Sequence, residues 1–146
     1  MIGVTGATGE LGGRVARRLA ERGVEQRLVV RDPARAPTLP FAEVAEAPDY
    51  ADGEAMQRAL AGVETLFLVS AGEHPDRVSL HRTVVDAATA AGVERVVYTS
   101  FIGAAPDATF TFARDHFHTE EQIRSAGLGY TFLRDSIYLD YVPFFA

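Results

Sequence analysis

Gly6, Gly9 and Gly12, spaced G-x-x-G-x-x-G, are the residues of this chain whose type and spacing point most directly to chemistry. They lie in Val4-Thr5-Gly6-Ala7-Thr8-Gly9-Glu10-Leu11-Gly12-Gly13, after a short apolar run and before a helical pattern at Leu11, Val15 and Leu19. A strand, a glycine turn and a helix in that order bring backbone N–H groups and the positive end of a helix dipole onto a pyrophosphate. Gly6 takes the tight turn, Gly9 leaves room for a dinucleotide, and Gly12 lets the helix pack close to the sheet. Gly6, Thr8, Gly9, Glu10, Leu11 and Gly12 are therefore candidate cofactor contacts. A phosphate loop of the NTPase type needs a Lys after its last Gly, and all 14 basic residues here are Arg.

Further candidates stand at the ends of the later apolar runs. Arg31-Asp32 follows Gln26–Val30, with Arg35 a turn later. An acid at that point binds the ribose 2′-OH of NAD, whereas a guanidinium fork suits a 2′-phosphate. NADP(H) is expected in preference to NAD(H), and Asp32 keeps NAD(H) open. Asp49-Tyr50 follows a weaker run at Glu43–Ala47; Asp49 either accepts the adenine amino group or shapes an ordinary turn. Ser70-Ala71 and Thr99-Ser100 follow Thr65–Val69 and Arg95–Thr99. Ligands in open parallel sheets lie beyond the carboxyl ends of the strands, where small residues let ribose and nicotinamide approach the backbone. Ser100 either bonds a substrate carbonyl or caps its own turn.

The elements that must position these residues alternate regularly. Strands are expected at Met1–Thr5, Gln26–Val30, Glu43–Ala47, Thr65–Val69, Arg95–Thr99 and Tyr130–Leu133. Helices are expected at Leu11–Arg22, Gly53–Ala61 with Asp52 as N-cap, Ser79–Ala91 and Phe112–Ser125. Ala34–Leu39 reads as a short helical turn, and Gly103–Ala108 as a loop. Continuous apolar runs such as Thr65–Val69 fit strands buried on both faces, and helices between them imply right-handed parallel crossovers. The fold expected is α/β, a Rossmann-like doubly wound parallel sheet with helices on both faces.

At 146 residues the chain suits one domain. A net charge of −6 argues against nucleic acid or an anionic membrane as partner. There is no cysteine, so thiolate catalysis and Cys-ligated metals are excluded. A strand beginning at Met1 leaves no room for a leader, and no apolar run has the length of a membrane span, so the cytoplasm is expected. Tyr138, Leu139, Tyr141, Val142, Phe144 and Phe145 crowd the last nine residues. Such a tail packs on its own sheet, on a missing lobe, or on a second copy in a homodimer.

The ordered series resembles the atypical short-chain dehydrogenase/reductases, specifically the NmrA-like group with the NADPH-dependent quinone oxidoreductases and triphenylmethane reductases. The matching pieces are Val4 to Gly9 with Leu11-Gly12, Val30-Arg31-Asp32-Pro33, Asp49-Tyr50, Tyr98-Thr99-Ser100, His116 with Glu120, and Ser125-Ala126-Gly127 with Tyr130 to Arg134. The resemblance implies a phosphate-binding role for Arg31 and supports the adenine-binding role of Asp49. It also implies a small substrate-binding lobe, with residues 135–146 as its start.

The usual short-chain pair Tyr-x-x-x-Lys cannot exist without lysine, and the similar spacing of Tyr130 and Arg134 falls in a strand. In the NmrA-like group a Lys or His stands on the helix after the fifth strand, with an acid four residues on. His116 and Glu120 match that spacing and share a helix face. His116 either orients the nicotinamide ribose, gives a proton to a reduced oxygen, or is a surface residue bonded to Glu120. His118 faces elsewhere, so no metal site is expected. His74 and His81 read as loop and surface residues. The function implied is hydride transfer from NADPH to a quinone-like or other electrophilic small molecule; the alternative is a non-catalytic NADP(H)-sensing regulator of the NmrA type.

Overall fold

The computed structural model describes residues 1–140 and Pro143. Among them, six strands alternate with four helices. In chain order these are β1 (Ile2–Thr5), α1 (Glu10–Glu21), β2 (Gln26–Val30), β3 (Ala42–Glu46), α2 (Gly53–Ala59) and β4 (Thr65–Leu68). They continue with α3 (Arg77–Ala90), β5 (Arg95–Phe101), α4 (Thr111–Ser125) and β6 (Gly129–Asp135). The strands lie in the order β3-β2-β1-β4-β5-β6, and each neighbouring pair is parallel. The chain winds outward from β1 to β3, then crosses back to β4 and winds the other way. β1 and β4 therefore flank the reversal point, where a doubly wound sheet opens a crevice at its carboxyl edge.

Burial follows position in the sheet. The central strands β1 and β4 are almost wholly buried, which explains their unbroken apolar runs. The edge strands β3 and β6 are partly exposed. One face of the sheet packs α1 through Ala16, Val15 and Leu19 against Val4, Leu28, Val30 and Phe67. The other face carries α2, α3 and α4 over Leu66, Leu68, Val96 and Tyr98, with Met56, Leu60, Val84, Ala88 and Ile123 buried among them. Each large apolar side chain so buried contributes roughly 1.5–3 kcal/mol. Asp52 caps α2 as expected, its Oδ1 accepting from Ala55 N at 2.9 Å.

Two boundaries differ from the sequence reading in ways that matter. α3 begins at Arg77 rather than Ser79, so Arg77 sits in its first turn. β6 runs from Gly129 to Asp135 because all seven residues pair with β5, so Arg134 belongs to the sheet. Of the apolar tail, Tyr138 and Leu139 are exposed, while Tyr141, Val142, Phe144 and Phe145 lie outside the described residues.

Candidate cofactor and active site

At the carboxyl end of β1 the three glycines separate into three roles. Gly6 has φ +63°, which an L side chain rarely adopts. A Cβ on Gly12 would lie 2.3 Å from the Gly6 carbonyl oxygen, so α1 can approach β1 this closely only with glycine there. Gly9 is under neither constraint: its added Cβ would meet only Gly6 O, at 3.4 Å. The protein itself therefore has room for a side chain at Gly9, the residue that precedes α1. Gly9 is the N-cap of α1 and supplies no side-chain cap. Thr8, Gly9 and Glu10 are exposed, and Leu11 is half-buried behind them. An open cradle at the positive end of a 12-residue helix fits a pyrophosphate.

At the end of β2, Asp32 is occupied locally. Its Oδ1 accepts from Ala34 N at 3.0 Å and caps the 3₁₀ turn Pro33–Arg35. Arg31 and Arg35 are exposed, and among the described residues their guanidinium groups make no hydrogen bond or ion pair. Asp49 likewise holds a turn, accepting from Ala51 N at 2.9 Å. Tyr50 turns inward, its hydroxyl donating to the Val69 carbonyl at 2.9 Å, and burial pushes its phenol up to about 12.

Ser70 and Ala71 follow β4, whereas Thr99 and Ser100 lie inside β5, which runs on to Phe101 instead of ending at Thr99. Ser70 and Ala71 are half-buried. Thr99 is buried, and its Oγ1 accepts from Ser70 N at 2.8 Å. Ser100 is also buried, and its hydroxyl donates to Glu120 Oε1 at 2.6 Å. Of the two alternatives for Ser100, a bond to a substrate carbonyl or a cap on its own turn, the structure shows neither, because the hydroxyl is engaged by Glu120. Alternation along β5 sends Tyr98 and Ser100 to the same face of the sheet, and α4 covers that face.

α4 presents an unusual buried stripe: Ala113, His116, Thr119, Glu120 and Ile123. His116 and Glu120 share this face but do not bond to each other, and His116 is buried, so the alternative of a surface His116 bonded to Glu120 does not hold. Glu120 is fully buried and receives Arg134 Nε at 2.9 Å, Arg134 Nη2 at 2.7 Å and Arg124 Nη2 at 3.3 Å. Burial alone would raise its pKa, but the bonds from Arg134 and Ser100 outweigh it and hold the carboxyl below its usual range. The Tyr130/Arg134 spacing is structural: Arg134 serves Glu120.

His116 lies between Arg77 and Tyr98. Arg77 Nη2 is 3.0 Å from His116 Nε2, and the Tyr98 hydroxyl is 2.8 Å from Nδ1. An arginine only donates, so Nε2 accepts and the ring proton sits on Nδ1, donating to the Tyr98 oxygen. His81 is wholly buried, which corrects its reading as a surface residue. Ala71 N donates to its Nε2 at 2.8 Å, so its Nδ1 proton donates to Thr119 Oγ1 at 2.9 Å. Burial, reinforced by the Arg77 charge, lowers both histidines to about 3. Both rings are neutral at neutral pH, with every nitrogen engaged inside the protein. His116 in this arrangement has no proton directed at solvent or substrate. His74 is exposed as expected, and no group of three potential metal ligands stands together among the described residues.

Arg77 and Thr119 are the members of this network that residue patterns overlooked. Arg77 is fully buried, its guanidinium 4.0 Å from the Phe112 ring centroid and 3.7 Å from an Asp115 carboxylate oxygen. The available signal was the i,i+4 pair Arg77–His81 facing His116-x-x-Thr119 on another helix. Reading it requires knowing that α3 and α4 are neighbours.

Residues 6–141 match the family described as NAD(P)H-binding. The chain belongs to this NAD(P)H-binding family. It is 39% identical over 141 residues to quinone oxidoreductase 2 of Escherichia coli (strain K12), covering 94% of this chain and 49% of the relative. It is 32% identical over 147 residues to the NAD(P)H azoreductase of Xenophilus azovorans, covering 100% and 51%. The crystal structure of the Citrobacter sp. triphenylmethane reductase complexed with NADP(H) matches with a TM-score of 0.87 and 35% identity, over 97% of this chain and 51% of that one. The chain thus spans about half the length of the relatives it matches. Within an NAD(P)H-binding family, the open cradle at Gly9 is the feature of this molecule that best fits a dinucleotide. No helix among the described residues is long and apolar enough to cross a membrane.

Proposed function

We propose that this chain is the cofactor-binding portion of an NADPH-dependent reductase that passes a hydride to a quinone-like or other electrophilic small molecule. The observation that carries the reading is the space left at Gly9, the residue that precedes the uncapped start of α1, in a chain of the NAD(P)H-binding family. Gly6, Thr8, Gly9, Glu10, Leu11 and Gly12 would hold the pyrophosphate. Arg31 and Arg35 would hold the 2′-phosphate, because Asp32 is spent on its own turn and both guanidinium groups are free in solvent. Asp49 and Tyr50 would border the adenine. Ser70, Ala71, Thr99 and Ser100 would form the floor under the nicotinamide half.

Bound NADPH supplies the hydride. The chain's own contribution is alignment rather than acid catalysis: His116, Ser100 and Glu120 bond to other protein groups and brace β5 against α4. An acceptor that is already electrophilic needs stacking and orientation more than a strong proton donor. Quinones, azo compounds and triphenylmethane dyes, the acceptor types named for the relatives, share that property. A cytoplasmic reductase, with a second copy or further lobe against Ile137 to Leu139, completes the reading.

The test has two steps. Calorimetric titration with NADPH and NADH measures binding and preference. NADPH oxidation with a panel of quinones then measures turnover. Tight NADPH binding without turnover, in a protein that includes the second half found in the relatives, favours the NADP(H)-sensing alternative. Absence of binding overturns both readings.

A further inference from the structure

Beyond β4, three residues without regular structure have almost all their backbone groups held by side chains. Val69 N donates to Thr5 Oγ1 at 2.9 Å, and the Val69 carbonyl accepts from Tyr50 OH at 2.9 Å. Ser70 N donates to Thr99 Oγ1 at 2.8 Å. Ala71 N donates to His81 Nε2 at 2.8 Å, and the Ala71 carbonyl accepts from Arg77 Nε at 2.8 Å. Loops at a sheet's carboxyl edge ordinarily leave such groups to water. Here three anchors come from β1, β5 and the loop after β3, and the last two come from the first two turns of α3.

The two anchors on α3 are costly choices. Arginine is almost never fully buried unless paired, and its charge resists transfer from water. Burial accordingly lowers the Arg77 pKa, although Asp115 offsets part of the effect. One buried Arg77 nitrogen, Nη1, has no hydrogen-bond partner among the described residues. Packing alone would be served better by an apolar side chain. The remaining Arg77 bonds account for its presence: Nε holds Ala71, and Nη2 holds His116 on α4. His81 works in parallel, joining Ala71 to Thr119 on α4.

The topology says what lies over this loop. With the pyrophosphate at the β1 turn and the 2′-phosphate at the end of β2, the nicotinamide half extends to the other side, over β4 and β5. We infer that Arg77 and His81 are positioning residues: they fix the backbone of Ser70 and Ala71 as a rigid floor under the nicotinamide half of the cofactor, without touching the cofactor themselves. This rests on the dinucleotide reading given above.

The experiment separates the two halves of the cofactor. NADPH and adenosine 2′,5′-bisphosphate, which lacks the nicotinamide half, are titrated into the 146-residue chain and into H81L and H81Q. Leucine removes the acceptor for Ala71 N; glutamine restores one at similar reach. H81L is expected to bind NADPH about tenfold more weakly, because the loosened loop must then be ordered on binding, at a cost of roughly 1–2 kcal/mol. It should bind the bisphosphate within about twofold of the unaltered chain, and H81Q should recover most of the NADPH affinity. If H81L does not fold, R77M carries the same comparison through the Ala71 carbonyl. Equal losses for both ligands would assign the pair a merely structural role and overturn the inference. So would unchanged NADPH binding, or an H81Q no better than H81L. An unaltered chain that binds neither ligand overturns the dinucleotide reading itself, and this inference with it. Bisphosphate binding without any gain from the nicotinamide half overturns the inference alone.

Discussion

Acidification from pH 7 to pH 5 tests the two buried neutral histidines. His81 and His116 are held at about 3 in the fold, first by burial and then by the Arg77 charge. In the unfolded chain each returns to about 6.5. Between those values the unfolded state binds more protons than the folded one. Stability is therefore fully present above pH 6.5 and falls as the pH falls toward 3. Once the unfolded imidazole is protonated, each histidine costs about 1.4 kcal/mol per pH unit. Integrated from pH 7 to pH 5, that is about 2 kcal/mol for each and about 4 kcal/mol for the pair. A domain stability of roughly 5–15 kcal/mol would feel such a loss strongly. Urea denaturation at several pH values, on the unaltered chain and on H81Q, provides the assay. Glutamine does not titrate, so the variant should lose about 2 kcal/mol less over the same interval. Contributions from carboxylates common to both chains cancel in the difference. Parallel stability curves would show that His81 titrates alike in the folded and unfolded chains, and would refute its buried bond to Ala71.

The remaining predictions concern the cofactor, the core and the tail. Arg31→Ala is expected to weaken NADPH binding by about ten- to a hundredfold, equivalent to roughly 1.5–3 kcal/mol, while NADH binding stays nearly constant in calorimetry. Gly9→Val should keep the circular dichroism spectrum, since the protein has space there, and abolish dinucleotide binding. Glu120→Ala should destabilise the chain by about 3 kcal/mol in denaturant titration, because it leaves Ser100 and Arg134 without their shared acceptor. Leu139, at 84% exposed, with neighbouring Ile137 and Tyr138, should promote self-association, and Leu139→Ser with Ile137→Ser should shift light scattering toward monomer.

What the sequence by itself determined was local. Strand and helix periods depend on neighbouring residues, so the six strands and four helices could be placed within a few positions from apolar spacing alone. The glycine turn was legible for the same reason. Gly6 answers to its own φ, and Gly12 to a carbonyl six residues away across a single turn. Arg31 and Asp32 could be named as rivals because both follow the end of β2. Only the structure showed that Asp32 is turned back onto Ala34.

Tertiary structure decided everything that depends on which helices are neighbours. A buried helical stripe is normally apolar, so patterning gave no reason to place Arg77, His81, His116, Thr119 and Glu120 inside. They are inside because α3 and α4 lie side by side over β4 and β5, where each polar group meets a partner distant in the chain: Arg77 with His116, His81 with Thr119, Ser100 with Glu120. An i,i+4 spacing put His116 and Glu120 on one face, but it could not say whether that face meets water or core. The sheet order settled the question, because burial of a charge is tolerated only where the fold delivers its counter-group.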